Sequence, residues 1–355
     1  MAYTTIDKPS DYFNTKLYTG NGGTQSITGV GFQPDWVWIK DRTVGFDHVL
    51  QDSVRGTTKI INSNQAYAEF TNSASITSFN SDGFTTGSYV ATNNNNTPFV
   101  SWNWKAGTSF TNDASATGVG TLDSTGSSSQ TAGFSIVSYT SNGSSSQSVA
   151  HNLGGVPEMI ISKNRDSSSS SYNYWTIFNH NLATANDKKL ILNTSAGAST
   201  TNEWGDTDPT STVYSLHTSG DGTTNHSSDK IISYCFRGIK GYSKFGSYTG
   251  NGNTDGTFVY TGFKPAWVLC KTSSISGEDW IVSDNKRNPS NETTTALFPN
   301  TTSADQSSNS IDMLSNGFKM RTTGTYRNQS GVTYIYMAFA EAPFVNSSGV
   351  PNNAR

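Results

Sequence analysis

The sequence predicts an all-β chain built from three tandem antiparallel β-sandwich, jelly-roll-like modules with ordered terminal arms. Three observations carry that expectation. One motif is written twice, as "YTGNGGTQSITGVGFQPDWVWIK" from Tyr18 and as "YTGNGNTDGTFVYTGFKPAWVLCK" from Tyr248. A fainter third copy, "AHNLGGVPEMIISKNR", lies between them. Charged residues make up only 14%, against roughly 25% in an average soluble protein. Gly, Ser, Thr and Asn fill the difference, which with abundant aromatics suits short strands and tight turns better than helices.

The elements follow in order. Asn21-Gly22 and Asn251-Gly252 mark hairpin turns, because Asn and Gly tolerate the positive φ of a type I′ turn. The next segment ends at Gly31-Phe32-x-Pro34 or Gly262-Phe263-x-Pro265. Proline cannot donate to a ladder, so it heads the following strand rather than sitting inside it. That strand is Trp36–Lys40 in the first copy, Met159–Lys163 in the second and Trp267–Lys271 in the third, with a Lys at the same step each time. Its residues are apolar on both faces, as in a strand covered on both sides. "HVLQDSVRG" then matches "WIVSDNKRN", aligning Asp52 with Asp284 and Arg55 with Arg287, while "YWTIFNHNL" puts Asn179 and Leu182 in those places. Asp82-Gly83 and Asn316-Gly317 mark further turns, with no counterpart in the middle copy. Each module closes on an aromatic strand in which Trp102 and Trp104, Tyr234 and Phe236, or Met337 and Phe339 share a face at period two. "NQAYAEFTNSA" is the best helical candidate, long enough for one or two turns.

The expected organisation is residues 1–107 as an N-terminal arm plus module one, 108–132 as a Ser/Thr/Gly-rich flexible linker or surface strap, and 133–240 as module two. Residues 241–344 form module three and 345–355 a C-terminal arm, both arms ordering against a neighbour. Modules two and three are joined by the short "RGIKGYSKFGSY" and so pack together. At 355 residues the chain exceeds one core, and a module of this size can bury a core of its own.

Composition narrows the function. A net charge of -3 gives no basic footprint for nucleic acid. No run approaches ~18 apolar residues, so no membrane partner is expected, and the first residues lack the basic-then-apolar pattern of a signal peptide. Two cysteines exclude a disulfide scaffold. Cys270 shares the face of Val268 and reads as a small buried hydrophobe, whereas Cys235 alternates with Tyr234 and Phe236 and is expected to look outward.

No residue set carries a recognisable chemistry. His48, His151, His180, His217 and His226 lack metal-ligand spacing and read as turn or surface residues; His151 heads "HNLGG", where a backbone hydrogen bond would satisfy it. Asp52-x-x-Arg55 and Asp284-x-x-Arg287 read as turns fixed by a partly exposed ion pair worth under ~1 kcal/mol, against the alternative of a catalytic carboxylate with a clamping Arg. Glu69, Glu158, Glu278 and Asp284 are the carboxyls that a glycosidase pair would draw on, but none sits in a motif. Asp206-x-Asp208 and Asp221-Gly222 offer loop carboxylates for calcium without a full ligand set. No catalytic, metal or cofactor residues are assigned. Trp36 and Trp38 face away from Val37 and Ile39, where they bury in a core, seal a contact between modules or subunits, or stack on sugars.

"GYSKFGSYTGNGNTDGTFVYTGFKPAWVLCK", the ending "YIYMAFAEAPFVNSSGVPNNAR", the first-module strings "SITGVGFQPDWVWIKDR" and "SWNWKAG", and "SFTNDASATGVGTLDSTGSSSQTAGFSIVSYT" resemble a family of tailed-phage tail fibre and virion structural proteins common in marine phages. The resemblance covers nearly the whole chain. It implies a non-enzymatic virion component assembled in the host cytoplasm, exposed on the particle as a tail fibre or similar appendage, or else as a head decoration or head–tail joint protein. The implied partners are other virion proteins and copies of itself, with a trimer the first guess. A carbohydrate-binding receptor role toward host surface glycans is the alternative, and a glycan depolymerase a further one.

Overall fold

The computed structural model describes residues 3–166, 173–218 and 223–352. Each of the three expected central segments forms a strand in a four-strand antiparallel arrangement that occurs three times. Pro34 and Pro157 precede their strands as expected, but Pro265 lies inside Phe263–Thr272, where the pairing with Thr333–Pro343 breaks register and tolerates the missing donor. In the first repeat the order across the sheet is Phe13–Thr19, Pro98–Trp104, Trp36–Asp41, Val49–Asp52. In the second it is Phe134–Thr140, Lys230–Phe236, Met159–Asn164, Trp175–Asn179. In the third it is Ser243–Thr249, Thr333–Pro343, Phe263–Thr272, Ile281–Asp284. The register also repeats, since Trp36 faces Trp104, Met159 faces Phe236 and Trp267 faces Phe339. The chain is all-β and antiparallel, with sandwich layering and no closed barrel.

The alternation of side chains explains why these strands are apolar on both faces. One face packs against the small second sheet of the same repeat. In the first repeat this layer holds Val37, Ile39, Phe84 and Phe99, in the second Ile160, Val137, Tyr214 and Cys235, and in the third Val268, Cys270, Phe318 and Tyr336. The opposite face of all three inner sheets meets in the largest buried cluster, which contains Trp36, Trp38, Trp102 and Trp104 together with Met159, Ile161, Tyr234, Phe236, Trp267, Leu269, Met337 and Phe339. Truncating one such buried aromatic to Ala costs about 3–5 kcal/mol, so this common core binds the repeats to one another. The expectation of separate beads is therefore amended. Each repeat has a core of its own, yet the largest core belongs to none of them.

Three other expectations are corrected. Residues 108–132 are not a flexible linker. They form strands Thr108–Asn112 and Ser124–Ser129 around a single helical turn, Ala114–Thr117, and these strands extend the inner sheet of the second repeat beyond Phe134–Thr140. Small side chains and low charge suit an added edge strand as well as a linker, and Gly126 is needed there, because a Cβ would sit 2.0 Å from the Ile136 carbonyl oxygen. The terminal segments order against their own chain. The Tyr3 hydroxyl donates to the Gly262 carbonyl, Ile6 enters the common core, and Ser347 bonds Asp7. The stretch around Ala66–Ala74 holds no helix; its Phe70–Thr71 pairs as a strand with Lys59–Ile60.

Candidate functional site

The residues that looked chemically capable gather where one repeat meets the next. Asp52 and Arg55 lie in the turn that follows Val49–Asp52, and neither side chain is exposed. The Arg55 Nε donates to Asp52 Oδ2 at 2.5 Å, Nη1 to Glu69 at 3.0 Å and Nη2 to the Leu50 carbonyl at 3.1 Å. The second repeat completes the set, because the Tyr234 hydroxyl donates to Asp52 Oδ2 at 2.7 Å and Arg165 grips Glu69 with Nε and Nη2, both at 3.0 Å. Burial alone would raise the Glu69 carboxyl, but Arg165 and Arg55 outweigh it and hold it below the usual glutamate value.

The junction between the third and first repeats has the same construction. Arg287 donates through Nε to Asp284 at 2.6 Å, through Nη1 to Asp305 at 2.7 Å and through Nη2 to the Val282 carbonyl at 3.1 Å. From the first repeat, Trp102 Nε1 donates to Asp284 at 3.1 Å and Arg42 Nε to Asp305 at 2.7 Å. Each network sets two carboxylates against two guanidiniums, so no charge is left over. These pairs are buried, which corrects the expectation of partly exposed ion pairs. The surface figure does not apply, and removing one partner of a buried pair costs about 3–5 kcal/mol.

The junction between the second and third repeats keeps the geometry and drops the charges. A backbone bond marks the equivalent point in each case, with N–H to carbonyl bonds from Glu69 to Arg165 and from Asp305 to Arg42 at 2.8 Å, and from Ala198 to Ser273 at 2.9 Å. Ala198 and Ser273 thus stand where the other junctions place a carboxylate and an arginine. Asn179 and Leu182 replace the Asp and Arg of the turn, and Leu182 lies in the common core with Met337.

A second contact also recurs around the ring. His48 Nε2 donates to the Phe298 carbonyl at 3.1 Å, Trp175 Nε1 to the Asn62 carbonyl at 2.8 Å and Trp280 Nε1 to the Ile191 carbonyl at 3.0 Å. The Trp38 indole donates to His48 Nδ1 at 2.9 Å, which places the His48 proton on Nε2. Burial, with Lys40 nearby, keeps the His48 ring neutral, well below the usual histidine value. The backbone N–H of each of these three residues is received by an Asn side chain, Asn64, Asn193 or Asn300.

The repeated lysines are buried too. Lys40 Nζ donates to the Asp41 and Val44 carbonyls, Lys163 to the Asn164 carbonyl and Asn173, and Lys271 to the Ser195 and Glu278 carbonyls. Desolvation lowers Lys163 to about 7 and, with acidic neighbours opposing it, Lys40 and Lys271 to about 8. Such values suit a general base. Here, however, each ammonium ties down the loop that follows its strand, and the same role recurs in three repeats.

The remaining candidates do not converge. Trp36 and Trp38 are each 1% exposed. The Trp36 ring stacks on Tyr234 of the second repeat at 4.3 Å between centroids. Of the three readings for these tryptophans, the structure places them in a buried contact between repeats, so no sugar can reach them. Cys235 does not look outward; it is fully buried in the second repeat's own core, and Cys270 is buried in the third. Glu158 accepts from the Gly238 N–H, Glu69 and Asp284 lie at different junctions, and Glu278 sits beside Lys271. His151 accepts from the Leu153 N–H and bonds the Thr210 carbonyl, and burial lowers it to about 4. His180 and His226 meet Glu158 and Asp229. Asp206 and Asp208 occupy a loop, and no group of three or more His, Cys, Asp or Glu side chains converges among the described residues. Asp221-Gly222 lies outside the described residues.

Sequence reasoning missed Arg42, Arg165 and Asp305 as junction residues, although both arginines stand two positions after a repeated Lys. It also missed the third Asn-Gly turn, "YTSNG" at 139–143. The expectation of type I′ hairpins is corrected at all three: the strands on either side of each turn pair in different sheets, and only the Gly, not the Asn, takes a positive φ. Gly143 has the same left-handed φ of 70° as Gly22, close to the 68° of Gly252. Asn93, Asn225 and Asn328, all buried, donate side-chain bonds into these three turns, to the carbonyls of Gly23, Ser144 and Asn253.

Comparison with curated proteins finds no match. Residues 8–343, which span all three repeats and the common core, match the model of a domain of unknown function, and the chain belongs to that family, DUF7483.

Proposed function

We propose that this chain is a non-enzymatic structural component of a bacteriophage particle, exposed on its surface as part of a tail fibre or similar appendage. One observation carries the reading. The aromatics, the Asp–Arg pairs and the repeated lysines, which are the residue types a substrate would call on, are engaged in contacts within and between repeats. What faces solvent is a set of Gly- and Asn-rich turns and hydroxyl-bearing strands, a surface that forms specific contacts without indiscriminate charge attraction. The sequence resemblance to virion proteins supports the same conclusion. A glycan-binding reading loses the two tryptophans it relied on.

Purification of phage particles from a lysate of cells carrying the gene, followed by gold labelling with antibody to this protein, tests the proposal. Label on the tail appendage is the expected result. Label on the head or at the head–tail joint moves the assignment to decoration or joint protein. Protein that remains in the soluble fraction and never bands with particles overturns the reading.

A further inference from the structure

We propose that the outer edge of Phe13–Thr19 is a docking site for an extended Ser/Thr/Gly-rich strand carrying a carboxylate, supplied by another polypeptide. The inference rests on the assembly reading above and specifies one of its contacts.

The molecule contains its own template. Phe13–Thr19, Phe134–Thr140 and Ser243–Thr249 occupy the same place in the three repeats and end alike, in Tyr18-Thr19, Tyr139-Thr140 and Tyr248-Thr249. Among the described residues, only in the second repeat is the outside of that strand paired, by Ser124–Ser129 running antiparallel with Ser128 opposite Ser135 and Ser124 opposite Tyr139. Among the same residues Phe13–Thr19 has one strand neighbour, Pro98–Trp104. The bonds from the Lys105 N–H to the Tyr12 carbonyl and from the Gly20 N–H to the Thr97 carbonyl set the parity of that ladder. Even-numbered residues therefore bond inward, and the backbone groups of Thr15 and Leu17 point outward. Unpaired edges of this kind accept a further strand through main-chain hydrogen bonds.

The third repeat's edge is less open, because the Phe245 carbonyl, equivalent to that of Thr15, already accepts from His180 and Asn181. At the first repeat a groove of about 340 Å³ runs along the strand, lined by Asn14, Thr15, Lys16, Leu17, Gly29 and Lys286. The Thr15 hydroxyl there is buried with no hydrogen-bond partner. Lys16 and Lys286 outnumber the nearby carboxylate, Asp82, which accepts from the Gly29 N–H and neighbours Lys16. The remaining positive charge favours an acidic residue on the incoming strand, and the Ser124–Ser129 template shows that small side chains fit such an edge.

A peptide with the sequence of residues 121–131, and the same peptide with Ser128→Asp, added to the full chain, test this by amide exchange. In the free protein the Thr15 and Leu17 amides should exchange quickly, while those of Ile136 and Ser138 are protected. Peptide should slow Thr15 and Leu17 at least tenfold, with the aspartate peptide binding several-fold tighter. Leu17→Pro, which deletes an outward N–H where proline is tolerated, should abolish the protection. Lys16→Glu, which leaves the backbone intact, should remove the preference for the aspartate peptide. No protection of Thr15 and Leu17 at millimolar peptide, or protection confined to another edge, overturns the proposal. That failure leaves the particle assignment standing, whereas binding by a protein absent from particles would overturn the particle assignment alone.

Discussion

Replacing Asp284 by Asn leaves three charges in the junction between the third and first repeats. Arg287 and Arg42 then face only Asp305, one positive charge in excess at a place where the Asp284 and Arg287 side chains have no exposure. Removing one partner of a buried pair costs about 3–5 kcal/mol. Adding Arg287→Leu takes away the surplus charge and leaves Arg42 and Asp305 paired at 2.7 Å. The double variant reproduces the Asn179 and Leu182 arrangement already present between the second and third repeats. Both Asp284→Asn variants lose the Trp102 indole's bond to Asp284 Oδ2. The double variant also loses the Arg287 bond to Asp305, offset by no longer burying the guanidinium, together with the bond to the Val282 carbonyl and the guanidinium 5.6 Å from the Trp102 ring centroid, the last two worth about 1–2 kcal/mol. The double variant should therefore be more stable than Asp284→Asn alone, by about 2 kcal/mol, a coupling typical of residues in one buried network. Urea unfolding of the four proteins of the cycle, followed by circular dichroism and by tryptophan fluorescence, measures it. A double variant as unstable as the worse single variant would refute the claim that charge balance governs the junction.

Three further outcomes follow from the same geometry. Trp267→Ala should lower stability by about 3–5 kcal/mol, and calorimetry should still show one transition, because Trp267 touches Trp102 and Trp104 of another repeat; separate transitions for the repeats would contradict a shared core. Lys163 is lowered by burial from 10.5 to about 7, so the unfolded chain binds more protons between those values and the penalty for burying the ammonium lifts as pH rises. Relative to Lys163→Met, the native protein should therefore gain about 1.4 kcal/mol per pH unit above pH 7, and a flat difference would show that Lys163 does not titrate there. Gly22→Ala and Gly143→Ala both force a side chain into a φ of 70°, which costs about 1–2 kcal/mol; Gly143→Ala should cost more, because its Cβ would also lie 2.7 Å from that of Ser227, against 3.2 Å to Asn95 at Gly22, as thermal unfolding would report.

The inner sheets were legible because proline, alternation and turn residues are local signals. Pro34, Pro157 and Pro265 located the central strands, and the period-two pairs Trp102/Trp104, Tyr234/Phe236 and Met337/Phe339 located their partners. The common core was half legible. Apolar residues on both faces of Trp36–Lys40 said that something covers each side, but not that two other repeats supply the cover. Residues 108–132 misled because a strand of small hydroxyl side chains and a flexible linker share one composition; the difference lies in whether a neighbouring edge needs pairing, which is a tertiary fact. The Asp52 and Arg55 pair was visible, but its burial was not. Burial depends on Tyr234 and Arg165, more than a hundred positions away in the sequence.

The charged residues at the junctions change as sets. Where Asp52 and Arg55 occur, Glu69 and Arg165 complete them, and where Asp284 and Arg287 occur, Asp305 and Arg42 do. Where the turn carries Asn179 and Leu182, the facing positions are Ala198 and Ser273, and none of these four side chains is ionisable. A set lacking one member would bury an unmatched charge at a cost of several kcal/mol, comparable to the whole stability margin of a typical domain. Complete networks, neutral junctions and sets that lose a matched pair keep the charges balanced, and sets that lose a single member do not. This explains why the Asp–Arg motif appears in the first and third repeats and is absent from the second without any loss of the fold. It also means that the pairs answer to partners on the next repeat rather than to a substrate. A change at any one of the four positions should be tolerated only together with the change that restores neutrality across the junction.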